Sequence, residues 1–274
     1  MNKNRFEVIF ISLKKKLKSK QITIGSWITT GHPAIAEILS FAGFDWLTID
    51  MEHSAITLTE AQNLIQTIEL AGCVPLVRVG SNDPVIIKRV MDAGSHGVIV
   101  PQVNSVREAK DAVSAVKYPP KGTRGVGLAR AQGYGLDFED YKKWNDKNSI
   151  VIVQIENILG VENLEEIISV EGVDGFIVGP YDLSASLGVP GEFEDPKYLQ
   201  AMDTINKVIN KSSTIAAGFH VVPLEPEMVL DKIKEGYCFL AYSLDSLFIA
   251  DYARRDLLKI KGDSLSIGPY IKRS

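Results

Sequence analysis

Hydrophobic positions along this chain fall into short β-rich runs separated by longer stretches of helical period. The runs are Ile22–Ile28, Trp46–Ile49, Pro75–Val79, Gly97–Val100, Ile150–Ile155, Gly175–Val178, Thr214–Phe219 and Cys238–Tyr242. Most are apolar on both alternating faces, the pattern of parallel strands covered by helices. Between them lie amphipathic stretches at Pro33–Ala42, Leu58–Ala71, Pro84–Ala93, Val106–Val116, Leu164–Val170, Tyr198–Asn210 and Glu225–Glu235. His32-Pro33 and Asp83-Pro84 place proline at first turns, and Gly72 and Gly94 follow helical stretches, where a left-handed residue ends a helix. Such alternation predicts right-handed βαβ units.

Eight strands in about 250 residues predict an α/β fold of closed (β/α)8 type, a TIM barrel. A doubly wound open sheet is the alternative. Its nucleotide fingerprint is missing, because Gly125-Val-Gly127-Leu-Ala-Arg130 lacks a third glycine and follows no strand directly. The longest connection, from Tyr118 to Asn148, reads as a loop. Its Gly125–Gly135 segment is expected to be a mobile lid or an intersubunit loop rather than a phosphate cradle.

Composition narrows this picture. The 274 residues are 45% hydrophobic, and no linker divides them, so residues 1–274 are read as one barrel domain with an N-terminal helix (1–20) and a C-terminal tail (253–274). Lys+Arg of 30 against Asp+Glu of 34 gives a net charge of -4 with no basic face, which argues against nucleic acid. Cys73 and Cys238 make neither a disulfide framework nor a metal-ligand spacing, so a reducing cytoplasm is the expected compartment. The apolar core near Met1 is too short for a secretory signal, and no apolar stretch approaches a membrane span. Lys14, Lys15, Lys16, Lys18 and Lys20 read as the solvated face of a first helix rather than a membrane surface.

In a closed βα barrel the active site forms at the C-terminal strand ends. Those ends carry Asp50-Met-Glu52-His53, Arg78, Pro101-Gln102, Gln154, Glu156, Gly179-Pro-Tyr-Asp182 and His220. Glu156 and Asp182 follow consecutive runs and emerge side by side, where they repel unless a proton or a divalent cation sits between them. As bland alternatives, Glu156 caps a helix from Asn157 and Asp182 caps one through Ser184–Leu187. Arg78, inside a buried strand, needs an anionic partner. His53 shares its loop with Asp50 and Glu52, which could orient it. His96 precedes a strand and reads as structural at the opposite rim, His32 sits at a helix start, and His220 either lines the pocket or packs.

Absences discriminate too. No lysine ends a strand, so a Schiff-base aldolase has no nucleophile, and no Ser or Cys is placed as an activated nucleophile beside His53. The turns after the last two strands lack a Gly-rich phosphate cup. Metal-assisted chemistry on an unphosphorylated anionic small molecule is left.

Over about Gly25 to Leu258 the chain resembles the HpcH/HpaI aldolase/citrate lyase family, particularly its metal-dependent 2-oxo-acid aldolases. The carriers are Ala42-Gly-Phe-Asp-Trp-Leu-Thr-Ile-Asp-Met-Glu-His53, Val77-Arg-Val, Asn82-Asp-Pro84, Tyr118-Pro-Pro-Lys-Gly-Thr-Arg-Gly-Val-Gly127, Gln154-Ile-Glu156 and Glu171-Gly-Val-Asp-Gly-Phe-Ile-Val-Gly-Pro-Tyr-Asp-Leu-Ser184. The resemblance implies a barrel in a homo-oligomer, a hexamer built as a trimer of dimers with exchanged C-terminal helices. It implies that Glu156 and Asp182 hold a divalent metal, Mg or Mn, with Co or Zn as alternatives. Gln154 would touch substrate, and the backbone from Gly179 through Pro180 and Tyr181 to Asp182 would bind a carboxylate. His53 matches the family's base, Arg78 its charge stabiliser, and Asp92 the carboxylate that raises the base's basicity. Asp92 ends a helix before a strand, so it could act only in trans. Tyr181 stands where many relatives have Ala, and Leu128–Gly135 departs from the serine-containing version.

The implied reaction is reversible cleavage of a 4-hydroxy-2-oxo acid to pyruvate, or an analogue, and an aldehyde by way of a metal-stabilised enolate. The alternative is a citrate-lyase- or citrate-synthase-like enzyme using oxaloacetate or an acyl-CoA. A barrel kept as a binding protein would bind metal or oxo acid without turnover.

Overall fold

In the computed structural model, which describes residues 13–212 and 215–261, the apolar runs pair in chain order and the last returns to the first. Strands β1 (Thr23–Ile28), β2 (Trp46–Asp50), β3 (Val74–Arg78), β4 (Gly97–Val100), β5 (Ile150–Ile155), β6 (Gly175–Val178), β7 (Ala216–Val221) and β8 (Phe239–Leu244) are all parallel. The fold is the expected (β/α)8 barrel. The seventh run differs from its expected bounds. Pairing of His220 with Ala241 and of Val221 with Tyr242 carries β7 through His220 rather than ending at Phe219. Thr214, where that run was expected to start, lies outside the described residues.

Successive side chains point to opposite faces, so each strand feeds two cores. Val77, Val98, Val151, Val153, Phe176 and Leu240 lie in the layer under the helices. Trp46, Leu76, Ile99, Ile152, Ile177 and Phe239 fill the barrel. Gly25 is required there, because a Cβ at that position would meet the Trp46 ring at 2.1 Å. Carried upward, the inward alternation decides the C-terminal rim. After Trp46 and Thr48 comes Asp50, after Val74 and Leu76 comes Arg78, and after Ile150 and Ile152 come Gln154 and Glu156.

The N-terminal mouth is closed by a helix, Leu13–Lys18, whose Leu13 and Leu17 join the barrel core. Lys15 and Lys18 are exposed, as a solvated face requires, but the reading fails at Lys14 and in part at Lys16. Lys14 is buried, and its Nζ donates to the Ser149 carbonyl at 2.7 Å and to Asp174 Oδ2 at 3.0 Å. Lys16 Nζ pairs with Asp45 at 2.6 Å. Asp174 Oδ2 also accepts the Val151 N–H at 3.0 Å, so Lys14 joins a carboxylate already anchored to β5. Residues 1–12 of the expected N-terminal helix lie outside the described residues.

The Tyr118–Asn148 connection is not a plain loop. It contains a short helical turn at Arg130–Gly135 and an α-helix at Phe138–Asn148. The helix was hidden by its charge, since Glu139, Asp140, Lys142 and Lys143 swamp a stripe of Phe138, Tyr141 and Trp144. Tyr141 is buried with Tyr118 and Ala131, and stacks on Trp144 at 5.6 Å. The C-terminal segment is helical from Asp245 to Lys261, overlapping the expected tail, and residues 262–274 lie outside the described residues. Among the described residues no helix is long and apolar enough to cross a membrane.

Candidate active site

Asp50 and Arg78 are register partners on β2 and β3. Arg78 Nε donates to Asp50 Oδ1 at 2.9 Å and Nη2 donates to Oδ2 at 2.6 Å, a two-pronged pair. The anion that Arg78 needs is therefore supplied by the neighbouring strand. Its Nη1 stands 3.3 Å from Glu52 Oε2, and Trp27 lies under the guanidinium at 4.3 Å. Burial raises the Asp50 pKa, but the hydrogen bond and charge of Arg78 outweigh it and hold the carboxyl below its usual range. Asp50 Oδ1 also accepts the backbone N–H of Glu52 at 3.0 Å and of His53 at 3.2 Å, which folds the loop back on itself. The His53 ring is 59% exposed, and its Nε2 lies 3.8 Å from Glu52 Oε2. Of its two acidic loop neighbours, Glu52 faces the ring and Asp50 engages only the backbone.

One strand pair away, Glu156 follows β5 and is buried. The Gln102 N–H donates to its Oε1 at 2.8 Å, and the Gln154 amide donates to Oε2. Gln102 makes that bond from a left-handed backbone, φ +53°, a strained conformation of the kind that collects at functional sites. Gly179 is needed opposite, since a Cβ there would come 2.9 Å from Glu156 Oε2. Burial raises the Glu156 pKa. Its bonds from Gln154 and Gln102 oppose the rise, and the charge of Asp182 adds to it.

The capping alternatives fail. Asn157, not Glu156, caps the next helix by accepting the Leu159 N–H at 3.0 Å. Asp182 lies inside the first turn of a helix, Pro180–Ser186, that starts before the one it was expected to cap.

An open pocket of about 320 Å³, mouth included, joins these elements. Trp27, Arg78, Gln154, Tyr181, Asp182 and His220 are among its walls. His220 both lines it and packs. Its Nε2 donates to the Ser243 carbonyl at 3.2 Å, its ring lies 5.2 Å from Trp27, and burial pushes its pKa down to about 3, so the ring is neutral. Tyr181 is half-exposed at the rim and meets Phe193 edge-on at 5.1 Å.

Asp92 is not brought to this site. It ends the helix Pro84–Asp92 at the opposite rim, where Arg124 Nη2 donates to Oδ1 at 2.6 Å and Gln132 Nε2 lies 3.5 Å away. His96 is at that rim too, 3.7 Å from Glu69.

The family model for HpcH/HpaI aldolase/citrate lyase matches residues 23–250. The chain belongs to the HpcH/HpaI aldolase/citrate lyase family. A 2-dehydro-3,6-dideoxy-6-sulfogluconate aldolase of Pseudomonas putida is 39% identical over 247 residues, 90% of this chain and 95% of that protein. A 2-keto-3-deoxy-L-rhamnonate aldolase of Escherichia coli is 34% identical over 263 residues, 95% of this chain and 96% of its own length. The crystal structure of an HpcH/HpaI family protein from Burkholderia cenocepacia superimposes with a TM-score of 0.86 at 31% identity, covering 91% of this chain and 99% of that one.

The residues of this HpcH/HpaI member fit a divalent ion at Glu156 and Asp182. The donors on offer are carboxylate and amide oxygens, the set that suits Mg or Mn. The Gln154 Oε1 is buried without a hydrogen-bond partner among the described residues, and so is Glu52 Oε2. No group of three or more His, Cys, Asp or Glu side chains stands together as a ready cage among the described residues, so water or substrate would complete the shell.

Sequence reasoning missed Trp27 and undervalued Glu52. No local signal marks Trp27, because its role comes from Arg78 two strands away. Glu52 was visible beside His53. Its contact with Arg78 was not.

Proposed function

We propose that this protein is a divalent-metal-dependent aldolase that reversibly cleaves a 4-hydroxy-2-oxo acid to pyruvate, or a close analogue, and an aldehyde. It is a carbon–carbon lyase, as its aldolase relatives are. The observation that carries the finer reading is the gathering of Glu156, Asp182, Glu52 and Asp50 around Arg78 at one rim. Burial raises two of these carboxyls, Glu156 and Glu52, and a cation would relieve that cost.

Glu156 and Asp182 would hold the ion, Mg or Mn. When bound, it supplies Lewis-acid stabilisation of negative oxygen on the 2-oxo acid. Arg78, held rigid by Asp50 and Trp27, stabilises the charge that develops as the C–C bond breaks, an effect of about 3 kcal/mol. The backbone from Gly179 and Pro180 to Tyr181 and Asp182 would face the substrate carboxylate, with the N–H groups of Tyr181 and Asp182 as its donors, because Pro180 has none and the Gly179 N–H donates to the Ile155 carbonyl at 3.2 Å. Gln154 touches the same end. His53, open to solvent, accepts the C4 hydroxyl proton and exchanges it with water, typically worth about 10²–10⁴ in rate.

Asp92 assists His53 from a neighbouring subunit, which makes the working unit a homo-oligomer, a hexamer of three dimers. The exposed Ile249, Tyr252 and Ile260 on the helix Asp245–Lys261 support its exchange between subunits. The free, buried Cys73 and Cys238 suit the cytoplasm. The whole chain works as one barrel domain.

The test is a pyruvate-coupled cleavage screen across 4-hydroxy-2-oxo acids, with and without EDTA. We expect pyruvate release that EDTA stops and Mg or Mn restores. Equal release in EDTA, or none from any such acid, defeats the reading.

A further inference from the structure

We propose that Glu52 is a positioning residue for the reaction, the carboxyl that couples the His53 imidazole to the Arg78 guanidinium. The inference rests on the aldolase reading and assigns work to a side chain that the reading leaves idle. One oxygen, Glu52 Oε2, reaches both groups, at 3.3 Å from Arg78 Nη1 and 3.8 Å from His53 Nε2. That oxygen is buried and accepts no hydrogen bond among the described residues, a cost without structural return.

The other carboxylates are committed elsewhere. Asp50 uses both oxygens on Arg78 and one of them also on the loop backbone. Asp92 is paired with Arg124 at the opposite rim. Among the described residues, Glu52 is the carboxyl whose side chain pairs with the His53 ring. A base that is 59% exposed needs a neighbour to fix its ring before it can work at one spot.

The bland reading makes Glu52 a second counter-ion for Arg78. Asp50 already fills that role with two short bonds. A simple counter-ion would also sit low. Burial instead pushes Glu52 up to about 7, against the pull of Arg78 and with the charges of Glu156, Asp50 and Asp182 adding to the rise.

The experiment compares full-length wild type, E52Q, E52A, H53A and the E52Q/H53A double variant. We expect E52Q to melt no lower than wild type and to keep KM within about threefold, while kcat drops about 10–100-fold. The pH–rate profile moves, and the double variant is no slower than H53A alone, because Glu52 acts through His53. In NMR spectra the His53 imidazole resonances differ between wild type and E52Q while those of His96 coincide. Wild-type kcat and pH profile in E52Q, or losses that multiply in the double variant, overturn the proposal. Coincident His53 resonances overturn it even if no substrate is found, so its failure is separable from failure of the aldolase reading.

Discussion

The two mouths of this barrel handle charge in opposite ways. At the N-terminal mouth, Lys14 meets Asp174, Arg124 meets Asp92, and Arg130 meets Glu69. Burial alone would raise the Glu69 pKa, but the bonds and charges of His96 and Arg130 hold it down to about 2. At the C-terminal mouth, Asp50, Glu52, Glu156 and Asp182 crowd round Arg78, and Glu52 and Glu156 are pushed upward. One mouth satisfies its charges and closes the fold. The other keeps a costly excess of one sign, and a cost that the fold does not need marks the working end.

That contrast can be tested by substitutions that should separate activity from stability. The largest effect is expected for Glu156→Ala. Turnover should fall on the order of 10³-fold or more, while the chain still folds with a lowered melting temperature, because the Gln102 N–H and the Gln154 amide lose their acceptor. Full activity of this variant in EDTA, read by pyruvate release, breaks the scheme. Lys14→Ala should do the reverse. It strands Asp174 in the floor and should cost about 3 kcal/mol in urea unfolding, with kcat unchanged.

Asp92→Asn sharpens the comparison, since Asp92 lies at the quiet mouth yet is assigned a role in trans. We expect a fall in kcat of about 10²-fold. A loss of stability with unchanged kcat would leave Asp92 as a partner of Arg124 only. The smallest effect concerns pH. The Glu52 pKa is raised when folded, so the folded state holds more protons than the unfolded one between pH 4.5 and about 7. Its contribution to stability is present at low pH and lost as pH rises through that window. E52Q should therefore gain on metal-free wild type by on the order of 1 kcal/mol at pH 8 and gain little at pH 4. Melting curves at the two values, with EDTA present, decide the point.

Much of this was legible in the chain. Apolar runs such as Ile150–Ile155 announced buried parallel strands, and their C-terminal ends announced Arg78, Gln154, Glu156 and Asp182 as rim residues. The Phe138–Asn148 helix was not legible, because its three aromatic anchors sit among six charges. Lys14 was misread, because a lysine in a charged run looks solvated until a carbonyl and an aspartate are brought over it. His220 was expected at the end of the seventh strand and lies there, but the run itself was read as stopping at Phe219, because pairing with β8 rather than local preference carries that strand to Val221.

The sequence by itself determined which residues alternate inward along each strand, and so which side chains reach the rim, because a period of two is a local property of the backbone. Closure of the barrel decided the rest. It set Asp50 against Arg78 and brought Glu52 between Arg78 and His53. These are contacts between groups far apart in the chain, and their energies depend on distances that no local pattern contains.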